Sequence, residues 1–394
     1  MINETLKIND SAASGGELGE RLVLLRDSVD KYCSRAVHLK RARELRGTRP
    51  GYDRQVWREM GELGWLGTML PEKFGGLGLG CAEMAVIAES LGRSLFPEPV
   101  VAAAVLAGGT VLYGDNDALK AQLLPALCKG ELIAALASRE ETHSNDPLAI
   151  EARAEEIPGG TKLFGAKRVI VGGASADGFV VSARSSEGLG LYWLRSEDVA
   201  SGLSFLDLAD GRPVAEIVLD GVEIPSSRRI AGPGIAEAAL TRACDEALIM
   251  TSAELLGVLT KALEITLEYL RTRVQFGKPI GSFQALQHRM VDLYIGQRVC
   301  RHALDEVLAK ADVPDLDGAA RGALASRIKA RCADTSLKIT REAVQMHGAM
   351  GYSDECDIGL FLMRAITLSA WLGGAEVHRR RFSQLAPSAA QIGS

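Results

Sequence analysis

The stretch EYLRTRVQFGKPIGSFQALQHRMVDLY, residues 268–294, reads as the end of one helix, a break and the start of another. Upstream, apolar residues recur at helical spacing from Ala236 to Arg273, with Leu248, Leu255, Leu259, Leu263 and Leu267 along the run. Gly277, Pro279 and Gly281 interrupt it. A second helix is expected to start near Ser282, a suitable N-cap, with Phe283, Leu286, Met290 and Leu293 on one face. DVPDLD (312–317) links it to a third helix over 318–347, GAMGY (348–352) breaks that, and a last helical stretch covers 357–384. Four long amphipathic segments with short breaks predict a helical bundle over 236–394.

Working outward, residues 132–235 change character. Short β-rich runs appear at RVIV (168–171), GFVVSA (178–183), LYWL (191–194) and AEIVL (215–219), divided by Gly, Asp and Ser. That pattern predicts a central antiparallel β domain rather than βαβ units. Residues 1–131 read as a helical domain, with LGWLGTMLPEKFGGLGLG (63–80) as turn-rich coil inside it. The expected class is α+β, mostly α: an N-terminal α-helical domain, a β domain and a C-terminal four-helix bundle. Clefts at the boundaries of such an insert are where cofactors bind.

Composition excludes several functions. The chain has 394 residues and a formal net charge of −5, without a basic run interleaved with aromatics, so nucleic acid is not an expected partner. Apolar runs of 18 or more are absent, so no membrane span is expected. The polar N-terminus is not expected to act as a signal or transit peptide. Seven scattered cysteines without a CxxC pair fit a reducing cytoplasm. The six histidines form no HExxH or HxxxH pair, and no protein-bound metal is expected.

Several segments together resemble the acyl-CoA dehydrogenase family, from about residue 56 to 385. They are LGWLGTMLPEKFGGLGLG, LLPALCKGELIAALA (123–137), the 268–294 stretch, QMHGAMGYSDE (345–355) and FLMRA (361–365), in the family's order. The resemblance implies FAD as cofactor and an acyl-CoA as substrate. It also implies an electron-transfer flavoprotein or similar acceptor, in fatty acid or steroid degradation. A guanidinium pairs with phosphate in a forked geometry, and Arg273 stands at a helix end beside a glycine break. By resemblance Arg273, Gln275, Phe276 and Gln284 touch the FAD of a neighbouring subunit, and Gln345, Gly348 and Ala349 pack on its adenosine part. Ala349 replaces the usual second glycine, and His347 is read as a packing residue. Ser138 falls where a threonine bonds the flavin ring, and Ser144 where a serine contacts pyrophosphate or substrate. Arg139-Glu140 replaces a usual Glu-Pro. Val169 stands where an aromatic lies against the flavin, and Val171 where a hydroxyl is common; both also suit strand core.

Dehydrogenation of an acyl-CoA needs a carboxylate to take the α-proton while the β-hydride goes to flavin N5. In most of the family that acid is a Glu in Tyr-Glu-Gly, a fixed distance after an arginine. Counting from Arg364 places Gly373 there, with no acid, though its N–H could polarise a carbonyl. Some members carry the base on the first bundle helix, and counting back from Gly257 places Ala247 there. Glu246 is its neighbour and the candidate base, with Asp245 and Glu376 behind it. One residue rotates a side chain by about 100° on a helix, and acids near a helix N-terminus are ordinarily exposed. The resemblance therefore implies an acyl-CoA dehydrogenase, as a homotetramer or dimer. The alternative is a non-catalytic or half-site partner in a heterotetramer with a second acyl-CoA dehydrogenase chain. A flavin-dependent oxygenase or oxidase of the same fold is a further alternative.

Overall fold

A computed structural model describes residues 16–35, 38–140 and 146–386. The order is helices, strands, helices. Helices α1 (Glu17–Arg35), α2 (His38–Leu45), α3 (Arg54–Glu62), α4 (Cys81–Arg93), α5 (Gly108–Tyr113) and α6 (Asp117–Cys128) come first. The 63–80 stretch is coil with two short 3-10 turns, as its glycines require. A wide π turn, Val101–Ala107, leads directly into α5 and is buried throughout.

Eight strands then form one sheet: β1 (Ala134–Ala137), β2 (Arg153–Ile157), β3 (Gly160–Val171), β4 (Gly178–Ser185), β5 (Gly188–Arg195), β6 (Leu203–Asp207), β7 (Pro213–Pro225) and β8 (Arg229–Ala231). The main path runs β6-β7-β3-β2-β4-β5-β8, with β1 beside β4. Its hairpins are antiparallel, but β1 and β2 meet β4 in parallel. The chain crosses from β1 to β2 through a long loop, a connection too long for a hairpin.

The bundle follows: α7 (Ile235–Thr272), a two-stranded arm of β9 (Val274–Gln275) and β10 (Lys278–Pro279), α8 (Gln284–Ala311), α9 (Gly318–His347), α10 (Ile358–Ala370) and α11 (Ala375–Leu385). Ser282 does not cap α8. Its Oγ donates to Pro279 O at 2.7 Å and Phe283 takes the N-cap place. The expected last helix is two, broken at residues 371–374. By length and composition Ile358–Leu385 could cross a membrane, but that window is half buried and contains this break.

Two contacts fix where the bundle meets the rest. A Cβ on Gly92 would lie 2.2 Å from Glu254 O, and one on Gly257 2.0 Å from Glu89 O. The two glycines let α4 and α7 touch backbone to backbone. Arg364 is 4% exposed. Its Nε donates to Asp210 at 2.8 Å, and its Nη1 donates to Phe96 O at 3.0 Å and Glu254 at 3.1 Å. One guanidinium thus ties α10 to the sheet, the N-terminal helices and α7. This fixes the chain that leaves α10 toward residues 371–374.

Candidate functional site

A cavity of about 320 Å³ opens between the sheet and the bundle. Leu136, Ser138, Val169 and Val171 form its sheet wall, and Cys244, Leu248, Trp371, Leu372, Val377 and His378 its helical wall. Leu106, from the π turn, also lines it.

Two strained residues line this space. Val169 has φ +51° inside the bulge where β3 slips against β7 between Lys167 and Ile170. Leu372 has φ +57° just past the end of α10. Non-glycine residues avoid this region, β-branched ones most of all, and such strain collects at functional sites. In both places the local fold aims the side chain at the cavity.

Leu372 lines the cavity beside Gly373, the position counted from Arg364. Gly373 N–H donates to Ala370 O at 3.2 Å, so it is unavailable to a substrate carbonyl. The carbonyls of Ser369 and Gly373 accept from Lys329 Nζ at 3.1 and 2.9 Å. Lys329 is fully buried, and burial pushes its amine down to about 7. Beside it, His378 is 3% exposed and bonds Leu372 O through Nε2 at 3.0 Å. Burial, with Lys329 nearby, lowers His378 to about 4, so the ring is neutral and Nε2 carries the donated proton.

Glu246 does not reach the cavity. Both its oxygens accept from Tyr113 Oη at 2.8 Å, and Oε1 accepts from Arg242 Nε at 3.1 Å. The Arg242 guanidinium lies 4.2 Å from the Tyr113 ring centre. Burial holds the Glu246 carboxyl above its ordinary range, and Tyr113 and Arg242 offset only part of that. Asp245, 1% exposed, accepts from Arg381 Nη1 at 2.5 Å. The expectation of exposed acids fails, because the pair sits three turns inside α7, enclosed by α5, α9 and α11. Ala247 is fully buried, and Glu376 is exposed on α11.

The loop between β1 and β2 is clasped to the sheet. Glu140 accepts from the backbone N–H of Glu151 and Ala152 at 2.6 and 3.0 Å, and from Lys167 Nζ at 2.6 Å. Lys167 is fully buried and also donates to Ser182 Oγ at 3.1 Å. Burial lowers its amine to about 8. The departure at Arg139-Glu140 is therefore an anchor, which no sequence motif announced. Ser138, at the base of this loop, faces the cavity; Ser144 lies outside the described residues.

The remaining expected residues gather elsewhere. The arm β9–β10 turns through Phe276 and Gly277, both at positive φ (+54° and +79°), as a tight two-residue hairpin demands. Phe276 is 90% exposed. Arg273, Gln275 and Gln284 are exposed around it, and Gln345, Gly348 and Ala349 are exposed at the end of α9. Tyr269 and His347 stack at 4.3 Å and join the two groups. His347 Nδ1 bonds Ala343 O at 2.7 Å, a packing role. Arg273 is 25 residues beyond Leu248 on one helix, about 38 Å at 1.5 Å per residue. The arm and the cavity of one chain are therefore well separated along α7.

These features fit a flavin in kind. The cavity offers a hydroxyl and apolar walls, and the arm offers a guanidinium, an amide and a glycine turn. Valines at 169 and 171 remove the aromatic face and the hydroxyl that such a ring usually meets. Among the described residues no cluster of His, Cys, Asp or Glu is arranged to hold a metal.

Residues 20–131 match the family model described as acyl-CoA dehydrogenase, N-terminal domain, and residues 237–385 the one described as acyl-CoA dehydrogenase, C-terminal domain. Acyl-CoA dehydrogenase FadE27 of Mycobacterium tuberculosis is 28% identical over 353 residues, 87% of this chain and 90% of that one. Acyl-CoA dehydrogenase IpdE2 of the same organism is 29% identical over 347 residues, 88% and 91% of the two chains. The ChsE4-ChsE5 complex from Mycobacterium tuberculosis contains a chain that superposes with a TM-score of 0.83 at 26% identity, over 93% of this chain and 96% of that one.

Proposed function

The chain belongs to the acyl-CoA dehydrogenase family, and from that premise we propose that it is an FAD-binding subunit relying on a second chain of the same family for the catalytic base. One observation carries this reading: the position counted from Arg364 for the family's acid is Gly373, and its neighbour at the cavity, Leu372, carries no acid either. Glu246, the nearest alternative, is turned to Tyr113 and Arg242.

When bound, the FAD supplies an acceptor for the β-hydride of an acyl-CoA. The chain's own part is to bind, orient and exclude water. Ser138 is the hydroxyl to hold the ring, and Leu106, Leu136, Leu248 and Trp371 make a dry wall for an acyl group. Lys329, Arg364 and His378 fix the turn at 371–374. The arm around Arg273 and Phe276, with Gln284, Gln345, Gly348 and Ala349, holds the outer part of the FAD in the neighbour's cavity. The stripe Val291, Ile295 and Val299 on α8, each 44–55% exposed, provides an apolar face for that neighbour. Electrons leave to an electron-transfer flavoprotein or a similar acceptor.

A second reading, an enzyme active as a homo-oligomer, draws on Asp146 and Glu151, two acids of the β1–β2 loop at the cavity. Producing the chain alone and together with a second family chain, then measuring FAD per chain and flavin bleaching by acyl-CoA, separates the two. Full flavin and full bleaching by the chain alone sinks the heteromeric reading. If Glu246→Gln leaves bleaching unchanged, Glu246 is not the base.

A further inference from the structure

The cavity has a polar corner that an unsubstituted acyl chain would not need. Its helical wall is apolar at Leu248, Trp371, Leu372 and Val377, yet Arg381 of α11 enters the same lining. Resting on the acyl-CoA reading of this cavity, we propose that Arg381 is a subsite for a hydrogen-bond-accepting oxygen, a carboxylate or a ketone, carried on the acyl part of the ligand.

The guanidinium is built in. Its Nη1 donates to Asp245 Oδ1 at 2.5 Å and to Ser326 Oγ at 3.3 Å, from α7 and α9. Asp245 is 2% exposed at its side chain and Arg381 27%. Nη2 also lies close to α9, where a Cβ on Gly322 would be 2.9 Å from it. A mid-helix glycine costs about 1 kcal/mol against alanine, and a desolvated ion pair is often no more stable than an apolar pair of the same size. Stability alone explains neither. The tether engages only one nitrogen, so Nε and Nη2 remain as a donor edge with no hydrogen bond among the described residues.

The ligand chemistry follows from charge. Asp245 neutralises Arg381, so the corner is a dipolar donor rather than a free cation. It can take a neutral ketone oxygen as well as a carboxylate. Two of the neighbouring charges are already engaged. Glu140 is occupied by Lys167 and two backbone N–H groups, and Arg184 donates to Ile150 O and Leu148 O at 3.1 and 2.9 Å. A methylene chain would meet this edge without a partner and leave it unsatisfied.

The test is calorimetric titration of the flavin-loaded protein, in whichever oligomer retains flavin, with hexanoyl-CoA, adipyl-CoA and 5-oxohexanoyl-CoA. At least one oxygenated ligand should bind about tenfold or more tightly than hexanoyl-CoA, the scale of one charge-assisted hydrogen bond. Preference for adipyl-CoA alone identifies an anionic oxygen; preference for both identifies a shared acceptor. Arg381→Gln should collapse the ratio to within about twofold. The paired change Arg381→Gln with Asp245→Asn does the same without stranding a buried carboxylate, and serves if the single variant fails to fold. Equal binding of all three ligands, or a ratio that survives Arg381→Gln, overturns the proposal and leaves the acyl-CoA reading standing. Loss of FAD from Arg381→Gln with the ratio intact assigns the guanidinium to flavin phosphate and overturns it too. No binding of any of the three sinks both readings.

Discussion

At the scale of single residues, the decisive position is Leu372. It already stands in the strained conformation that points a side chain into the cavity. Leu372→Glu should therefore place a carboxylate there without rebuilding the turn. A positioned general base contributes about 10²–10⁴ in rate. We expect flavin bleaching by acyl-CoA in the chain alone to rise at least a hundredfold, followed in a stopped-flow absorbance experiment. His378 gives a second expectation. Its folded value of about 4 lies below the ordinary 6.5. Between those values the unfolded chain takes up a proton that the folded chain refuses, so stability falls as pH drops from 6.5 to 4. The difference corresponds to up to about 3 kcal/mol. His378→Gln should flatten that part of a denaturation midpoint against pH profile. Much here was legible in the sequence, and some was not. The absence of an acid at Gly373 could be counted from Arg364, but the left-handed turn that brings Leu372 to the cavity beside it could not. Likewise the 100° step from Ala247 to Glu246 was known, but only packing decides that Tyr113 waits on that side.

At the scale of elements, the helical periodicity gave α7 and α9 almost to the residue, because long amphipathic runs carry strong signals. The ends were weaker. Ser282 has the right side chain for an N-cap but points back to Pro279, and the last helix breaks at residues 371–374. The parallel placement of β1 beside β4 left no trace in local alternation, since all four of its residues are buried. The clasp of Glu140 on Lys167 was equally hidden, because the partners are 27 residues apart and meet only across the folded sheet. For α8, the exposed Val291, Ile295 and Val299 recur every four residues along one face. Ile295→Asp should shift the protein toward monomer and lower its FAD content together, read by light scattering and flavin absorbance. A monomer that keeps its flavin would contradict the role given to that face.

At the scale of the whole molecule, the cavity and the arm lie far apart along α7, and the proposed flavin site joins one chain's cavity to another's arm. Complementation between subunits should follow. An Arg273→Glu chain lacks a working arm, and a Ser138→Trp chain has an obstructed cavity. Each alone should retain little flavin. Refolded together, a fraction of mixed oligomers pairs an intact cavity with an intact arm, and flavin should return to about a quarter of the sites for random pairing. Flavin absorbance of the mixture against the separate samples checks this.

The arm has a consequence for how the cofactor is lost. A chain that held FAD entirely by itself would release it at a rate indifferent to protein concentration. In the arrangement proposed above, Phe276, Arg273 and their neighbours hold the FAD of another copy or another chain, and holding the cofactor is then linked by mass action to holding the neighbour. Dilution alone should then bleed flavin from the protein, and added FAD should push separated subunits back together.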